Sequence, residues 1–142
     1  MSSTFCQTPT HHQRELQMSE ALVICLGACV GAILRWQLGV TFNGLVAVPL
    51  GTLSVNWIGG YLIGVCVGVF QTWPSLDPHW RLLLITGFLG TLTTFSTFSA
   101  EVVSFLLNGR YALALLSTGL HLFGSLSLTY LGLKTVHWLS AS

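Results

Sequence analysis

Charge is what this sequence has least of. Only 6% of its 142 residues are Asp, Glu, Lys or Arg, where an average soluble domain carries roughly a quarter. That excludes a water-facing surface over most of the chain. A net charge of +1 leaves no basic face, so no nucleic-acid partner is expected. Acid is scarcest inside the apolar runs, where Glu101 is the only one. The four cysteines, Cys6, Cys25, Cys29 and Cys66, form no Cys-x-x-Cys pair. They are read as small apolar residues rather than metal ligands. His79, His121 and His137 are scattered and make no nucleophile–base or metal set, so the chain is not expected to be an enzyme.

What is abundant is apolar: 52% of the residues. A bilayer crossing takes about 20 apolar residues, and four such runs can be read. They cover about 21–40, 46–70, 82–107 and 112–133. Turn-formers separate them: Asn43-Gly44, then Pro74, Asp77 and Pro78, then Asn108-Gly109. The expected fold class is an all-α membrane protein. One domain, 21–138, holds four transmembrane helices, and short loops make consecutive helices antiparallel neighbours. Residues 1–20 are polar and are read as a tail or amphipathic lead-in. A signal peptide is the rival reading there, because Arg14 precedes an apolar run.

The third run contains the most telling segment, Gly87-Phe88-Leu89-Gly90-Thr91-Leu92-Thr93-Thr94-Phe95-Ser96-Thr97-Phe98-Ser99. Hydroxyls and unwound backbone are costly in hydrocarbon unless they line a cavity or bind something. A broken third helix at a functional site is therefore expected, with the break at Gly90-Thr91. Unwound carbonyls at mid-membrane suit a bare cation, although a simple kink is the more ordinary outcome. Phe95 and Phe98 are three apart and share a helix face. Their ring edges are positive, and hydroxyls surround them, a setting that favours a small anion held loosely.

Other polar residues in the spans have ordinary readings beside functional ones. Asn56 is read either as an interhelical hydrogen bond or as a pore-facing donor with two N–H groups. Arg35 either snorkels to the interface or draws anions toward a vestibule. Glu101 is read as pairing with Arg110 or Arg35. His121 is read as a buried histidine bonded to a neighbour ahead of a proton relay. Ser125, Ser127 and Thr129 only partly share a face, and which of them faces a pathway is left open. Gly27-x-x-x-Gly31 and Gly60-x-x-x-Gly64-x-x-x-Gly68 predict close helix packing.

Four spans put both termini on one side. Arg14, Arg81 and Lys134 then lie toward that side, and Arg35 and Arg110 toward the other. Orientation follows Lys/Arg excess, and here the excess is almost nil. Insertion both ways up, with an antiparallel homodimer, is a natural consequence; a fixed orientation set by the tail is the alternative.

Three motifs resemble those of the CrcB/Fluc fluoride channels. The long one is Gly87-Phe88-Leu89-Gly90-x-x-Thr93-Thr94-Phe95-Ser96-Thr97-Phe98-Ser99-x-Glu101. Gly51-Thr52-Leu53-x-Val55-Asn56-x-x-Gly59 resembles the second-helix signature, and Gly27-x-x-x-Gly31-Ala32-x-x-Arg35 the first-helix one. The resemblance spans about residues 22–135. It implies a passive, fluoride-selective channel of the cell inner membrane, assembled as an antiparallel, dual-topology homodimer with two fluoride pathways. It implies that Asn56, Phe95, Phe98, Ser96, Thr97 and Ser125 line each pathway and that Arg35 guards the vestibule. It also implies a structural Na⁺ at the dimer centre, held by the backbone carbonyls of Gly90 and Thr91. In relatives the fourth helix often carries a tyrosine four residues before a pore-lining serine; here His121 stands four before Ser125. The alternative reading is a small dual-topology multidrug/proton exporter. Such an exporter needs an embedded carboxylate, and the first span has none while Glu101 lies near an interface.

Overall fold

The computed structural model describes residues 11–44 and 47–141, with the side chains of residues 11–13 left aside. All regular structure in this range is helical. Helix α1 is His11–Phe42, α2 is Leu50–Thr72, α3 is Pro78–Arg81, and a π-helical segment covers Leu82–Leu89. Helix α4 is Gly90–Leu92, α5 is Phe95–Leu107 and α6 is Tyr111–Ala141. Four stretches are long and apolar enough to cross a membrane, Pro78–Leu107 being the third.

The helices run further than the apolar runs that announced them. Helix α1 starts at His11, so residues 11–20 are wound into it rather than forming a separate tail. The reason is local. No Pro or Gly interrupts residues 10–26, and Glu15, Leu16, Gln17, Met18 and Ala21 are good helix formers. At 32 residues and about 1.5 Å per residue, α1 outreaches the hydrocarbon. Helix α6 likewise continues past Leu133 to Ala141. The expected start of the second helix at Val46 lies outside the described residues; α2 begins at Leu50, with Pro49 as its N-cap. The cap hydrogen bonds come from farther back. Asn43 Oδ1 accepts from the N–H of Gly51 at 2.8 Å and of Thr52 at 3.3 Å. Residues 1–10, including Cys6, also lie outside the described residues.

The expected turns form. Gly44 and Gly109 adopt φ values of +96° and +70°, a region only glycine enters freely. Asp77 caps α3, accepting from the His79 N–H at 2.9 Å, with Pro78 in the first turn. That backbone bond, helped by the His79 ring at 2.7 Å, holds the Asp77 carboxyl below its usual range. A carboxyl depressed in the folded state stabilises above its unfolded pKa, and the contribution is lost as pH falls through the folded one. Lowering the pH below about 4 should therefore lower the melting midpoint of the wild type more than that of Asp77→Asn, by thermal unfolding in detergent.

Consecutive helices are in contact, α1 with α2 and α5 with α6, but the largest contacts lie elsewhere. The two most extensive contacts join helices running the same way: α1 with the π-helical segment, and α2 with α6. Small residues decide this. Gly27 and Gly31 of α1 face Leu83, Gly87, Phe88 and Thr91, while Gly60, Gly64 and Gly68 of α2 face Ser125, Thr129 and Val136 of α6. Successive glycines meet successive turns in the same order, which makes both pairs parallel. A Cβ on Gly87 would lie 2.6 Å from the Ile24 carbonyl oxygen, so the backbones are nearly in contact. The small core they enclose is Val55, Leu89 and Leu92.

Candidate functional site

The third span does break, but at Thr93 and Thr94 rather than at Gly90-Thr91. Gly90–Leu92 is still helical; Thr93 (ψ 153°) and Thr94 (φ −147°, ψ 114°) are extended. The Thr94 N–H, which would close the next turn on Gly90, donates instead to Asn56 Oδ1 at 2.8 Å. Asn56 Nδ2 donates back to the Thr94 carbonyl at 3.1 Å. One carboxamide on α2 thus satisfies both backbone groups of Thr94, as buried backbone requires. Thr94 then caps α5, its Oγ1 accepting from the Thr97 N–H at 3.2 Å and donating to Thr97 Oγ1 at 2.9 Å.

Asn56 is consequently occupied. Its second Nδ2 proton goes to His121 Nδ1 at 3.0 Å, so both donors expected to face the pore are spent within the protein. His121 is 5% exposed and bonded to a neighbour, in line with the ordinary reading. Its ring lies 4.5 Å from that of Phe98, centroid to centroid. Phe98 in turn meets Phe95 edge-on, at 5.5 Å and an interplanar angle of 62°.

These groups line a cavity of about 750 Å³ beside the break, together with Gly90, Thr93, Thr94, Ser125 and Thr129. His121, Ser125 and Thr129 form one stripe at spacing four on α6. Ser127 is exposed and lies outside this lining. Thr129 Oγ1 donates to the Ser125 carbonyl at 2.9 Å, which leaves its oxygen as an acceptor toward the cavity.

A second cavity, about 360 Å³, lies on the other side of Thr94 and contains Arg35, Asn43, Thr52, Ser96 and Thr97. Arg35 and the N-terminal turn of α5 therefore share one space. A guanidinium and the positive end of a helix dipole both favour an anion. Ser96 and Thr97 are exposed, and Phe95 is 78% exposed, so the hydroxyl-bearing turn of α5 lies at an open face of the chain.

Gly90 and Thr91 are near this face but differ from each other. Gly90 is exposed, and its carbonyl has lost the Thr94 N–H as helical partner. The Thr91 side chain turns inward, with Oγ1 within 2.8–3.2 Å of the Gly87, Phe88 and Ala28 carbonyls. Among the described residues no group of three or more His, Cys, Asp or Glu could hold a metal; carbonyl oxygens are the donor set present here.

Glu101 pairs with neither Arg110 nor Arg35 among the described residues. Its Oε1 accepts from Thr52 Oγ1 at 2.5 Å, and Oε2 is buried without a partner. Thr52, Trp57 and Thr94 are the residues to which sequence reasoning gave no role of their own. Trp57 Nε1 donates to the Leu120 carbonyl at 2.9 Å and wedges against Gly124, setting the height of α6 and hence of His121. The Thr94 role had a visible signal, a Thr three residues before Thr97 at a helix start. The Thr52 role had none.

The family described as "CrcB-like protein, Camphor Resistance (CrcB)" matches residues 22–133 of this chain. The fluoride-specific ion channel FluC of Albidiferax ferrireducens is 61% identical to it over 124 residues, 87% of this chain and 95% of that protein. FluC of Pseudomonas putida is 57% identical over 124 residues, 87% and 98% of the two chains. FluC of Nitrosomonas europaea is 51% identical over 122 residues, 85% and 96% of the two.

Proposed function

The chain belongs to the CrcB-like family, and we infer from that membership that it is a fluoride-specific ion channel, a multi-pass protein of the bacterial inner membrane and not an enzyme. The observation that carries this is 61% identity, over nearly the whole of both chains, to a protein named for that activity. Neutral hydrogen fluoride crosses membranes, dissociates at cytoplasmic pH and traps fluoride inside. A passive channel lets the anion leave, helped by an inside-negative potential worth about 2.3 kcal/mol per charge per 100 mV.

Dehydration is the main cost for so small an anion, and donors in series replace its water stepwise. The pathway runs from the Arg35 vestibule past Ser96 and Thr97, along the edges of Phe95 and Phe98, toward Ser125. Asn56 braces it by holding the break open. The support for this course is the sharing of Thr94 by the two cavities and the edge-on geometry of the rings.

The assembly is an antiparallel, dual-topology homodimer with two such pathways. Ser96, Thr97 and Gly90 are exposed beside a mid-span break. Hydrocarbon tolerates neither exposed hydroxyls nor irregular backbone, so a second copy over this face is favoured, and the near-even split of Lys and Arg lets it insert the other way up. Gly90 and Thr91 carbonyls from both copies would hold a Na⁺ at the centre. The residues fit such an ion, because the diverted Thr94 N–H takes from the Gly90 carbonyl its helical partner, and carbonyl oxygens at a helix end suit a hard cation. Bound there, Na⁺ would tie the two breaks together.

The test is efflux from liposomes containing the purified protein, loaded with fluoride and followed with a fluoride electrode, with potassium and valinomycin balancing charge. Rapid fluoride release with no release from chloride-loaded vesicles is expected. No fluoride release from folded protein would overturn the reading.

A further inference from the structure

We propose that Asn43 is an ion-facing donor at the mouth of the smaller cavity, offering its Nδ2 protons to an entering fluoride ahead of Arg35 and the α5 turn. The inference rests on the channel reading above.

The carboxamide is fixed from its oxygen side. Asn43 follows the last residue of α1, Phe42, and meets the first turn of α2. There Oδ1 accepts from two backbone N–H groups, Gly51 at 2.8 Å and Thr52 at 3.3 Å. A turned amide would set its own N–H donors against those two, so Oδ1 stays on α2. Gly51 permits the approach, since a Cβ there would lie 2.6 Å from Oδ1. The same two bonds spend N–H groups that an anion would otherwise seek at the α2 N-terminus.

Nδ2 is then the free end. Among the described residues the Asn43 side chain bonds only through Oδ1. Asn43 lines the cavity of about 360 Å³ together with Arg35, Gly39, Ser96 and Thr97. Arg35, Gly39 and Asn43 recur at spacing four on α1 and share one face, and Gly39 leaves the wall between the two polar groups bare. Asn43 is exposed and stands at the end of α1, whereas Ser96 and Thr97 stand beside the mid-span break. The cavity therefore leads from the loop end of the span toward the inner donors.

The groups around this space favour an anion. Among the described residues Arg35 is the only charged one in the lining. Thr52 turns its hydroxyl proton to Glu101, and Glu101 itself lies outside the lining. A neutral amide two turns from a guanidinium passes an ion on without trapping it, which a conducting site requires.

Asn43→Asp separates this role from capping. A carboxylate keeps the oxygen that accepts from Gly51 and Thr52 and suits a helix N-terminus as well as an amide does. An asparagine that only capped α2 would be replaced without loss; a donor facing the ion would become a repelling charge. In liposomes containing the full chain, fluoride efflux should fall about fivefold or more in Asn43→Asp, while its thermal midpoint in detergent stays at or above that of the wild type. Asn43→Cys reads charge at the same place within one folded protein. Reaction with a cationic thiosulfonate should raise its efflux and reaction with an anionic one should lower it, the two differing about threefold or more. The wild type treated alike gives the baseline for the native cysteines. Wild-type efflux in folded Asn43→Asp would overturn the proposal, as would an introduced cysteine that neither reagent reaches or that responds alike to both. If Asn43→Asp does not fold, the cysteine variant decides. Failure of the wild type itself to release fluoride would instead overturn the channel reading.

Discussion

Replacing Phe95 and Phe98 together by isoleucine should leave a folded protein that conducts fluoride about a hundredfold more slowly, equivalent to about 2.7 kcal/mol on the barrier. Isoleucine keeps apolar volume but has no aromatic quadrupole, and the positive ring edges are what an anion would meet. Folding should survive because Phe95 is 78% exposed and Phe98 is only half-buried, so neither ring fills the core of Val55, Leu89 and Leu92. Single substitutions should each show a smaller part of the effect, since the two rings meet edge-on at 5.5 Å and share one passing ion. Efflux from liposomes measures the rate, and gel filtration of the same samples separates lost conduction from lost fold. Wild-type flux through the double variant would remove the ring pair from the mechanism.

Substituting Gly64 by leucine should abolish folding instead. A Cβ at Gly64 would collide with the Thr129 carbonyl and come within 3.0 Å of the Leu133 nitrogen, both of them backbone of α6. Backbone cannot rotate away as a side-chain tip can, so the cost should be about 3 kcal/mol or more, the upper end for overpacking. Gly132 makes the reciprocal contact with the Tyr61 carbonyl, so relief on one side tightens the other. The expected result is aggregation in detergent, or a melting midpoint several degrees lower where a folded fraction remains. Gly119→Ala is the control. A Cβ there meets nothing within 4 Å, so the change should be neutral or slightly stabilising through helix propensity.

This chain uses weakly apolar residues inside its spans in two ways. Glycines at spacing four bring helices together, and the hydroxyl-rich turn of α5 faces outward, where it costs stability unless it is covered or wetted.

The sequence by itself determined that the chain is a four-span helical membrane protein with a damaged third helix. Those conclusions rest on composition and local chemistry: too little charge for water, four apolar runs, glycines where loops need positive φ, and hydroxyls where hydrocarbon penalises them. It also carried the family motifs, because a run such as Thr93 to Ser99 is long enough to be distinctive. Helix ends were less legible, since polar residues such as Glu15 and Gln17 mark the edge of the membrane but do not stop a helix. The break was misplaced for a related reason. Gly90 permits unwinding, but the observed site, Thr93-Thr94, is set by Asn56, 38 residues away in sequence, which holds both backbone groups of Thr94. Only the tertiary structure decided that α2 and α6 run side by side in the same direction, that Ser125 and Thr129 rather than Ser127 line the cavity, and that Glu101 meets Thr52 instead of an arginine. Each of these depends on how two distant segments are rotated against each other, and a periodicity that shows which residues share a face does not show which partner that face will meet.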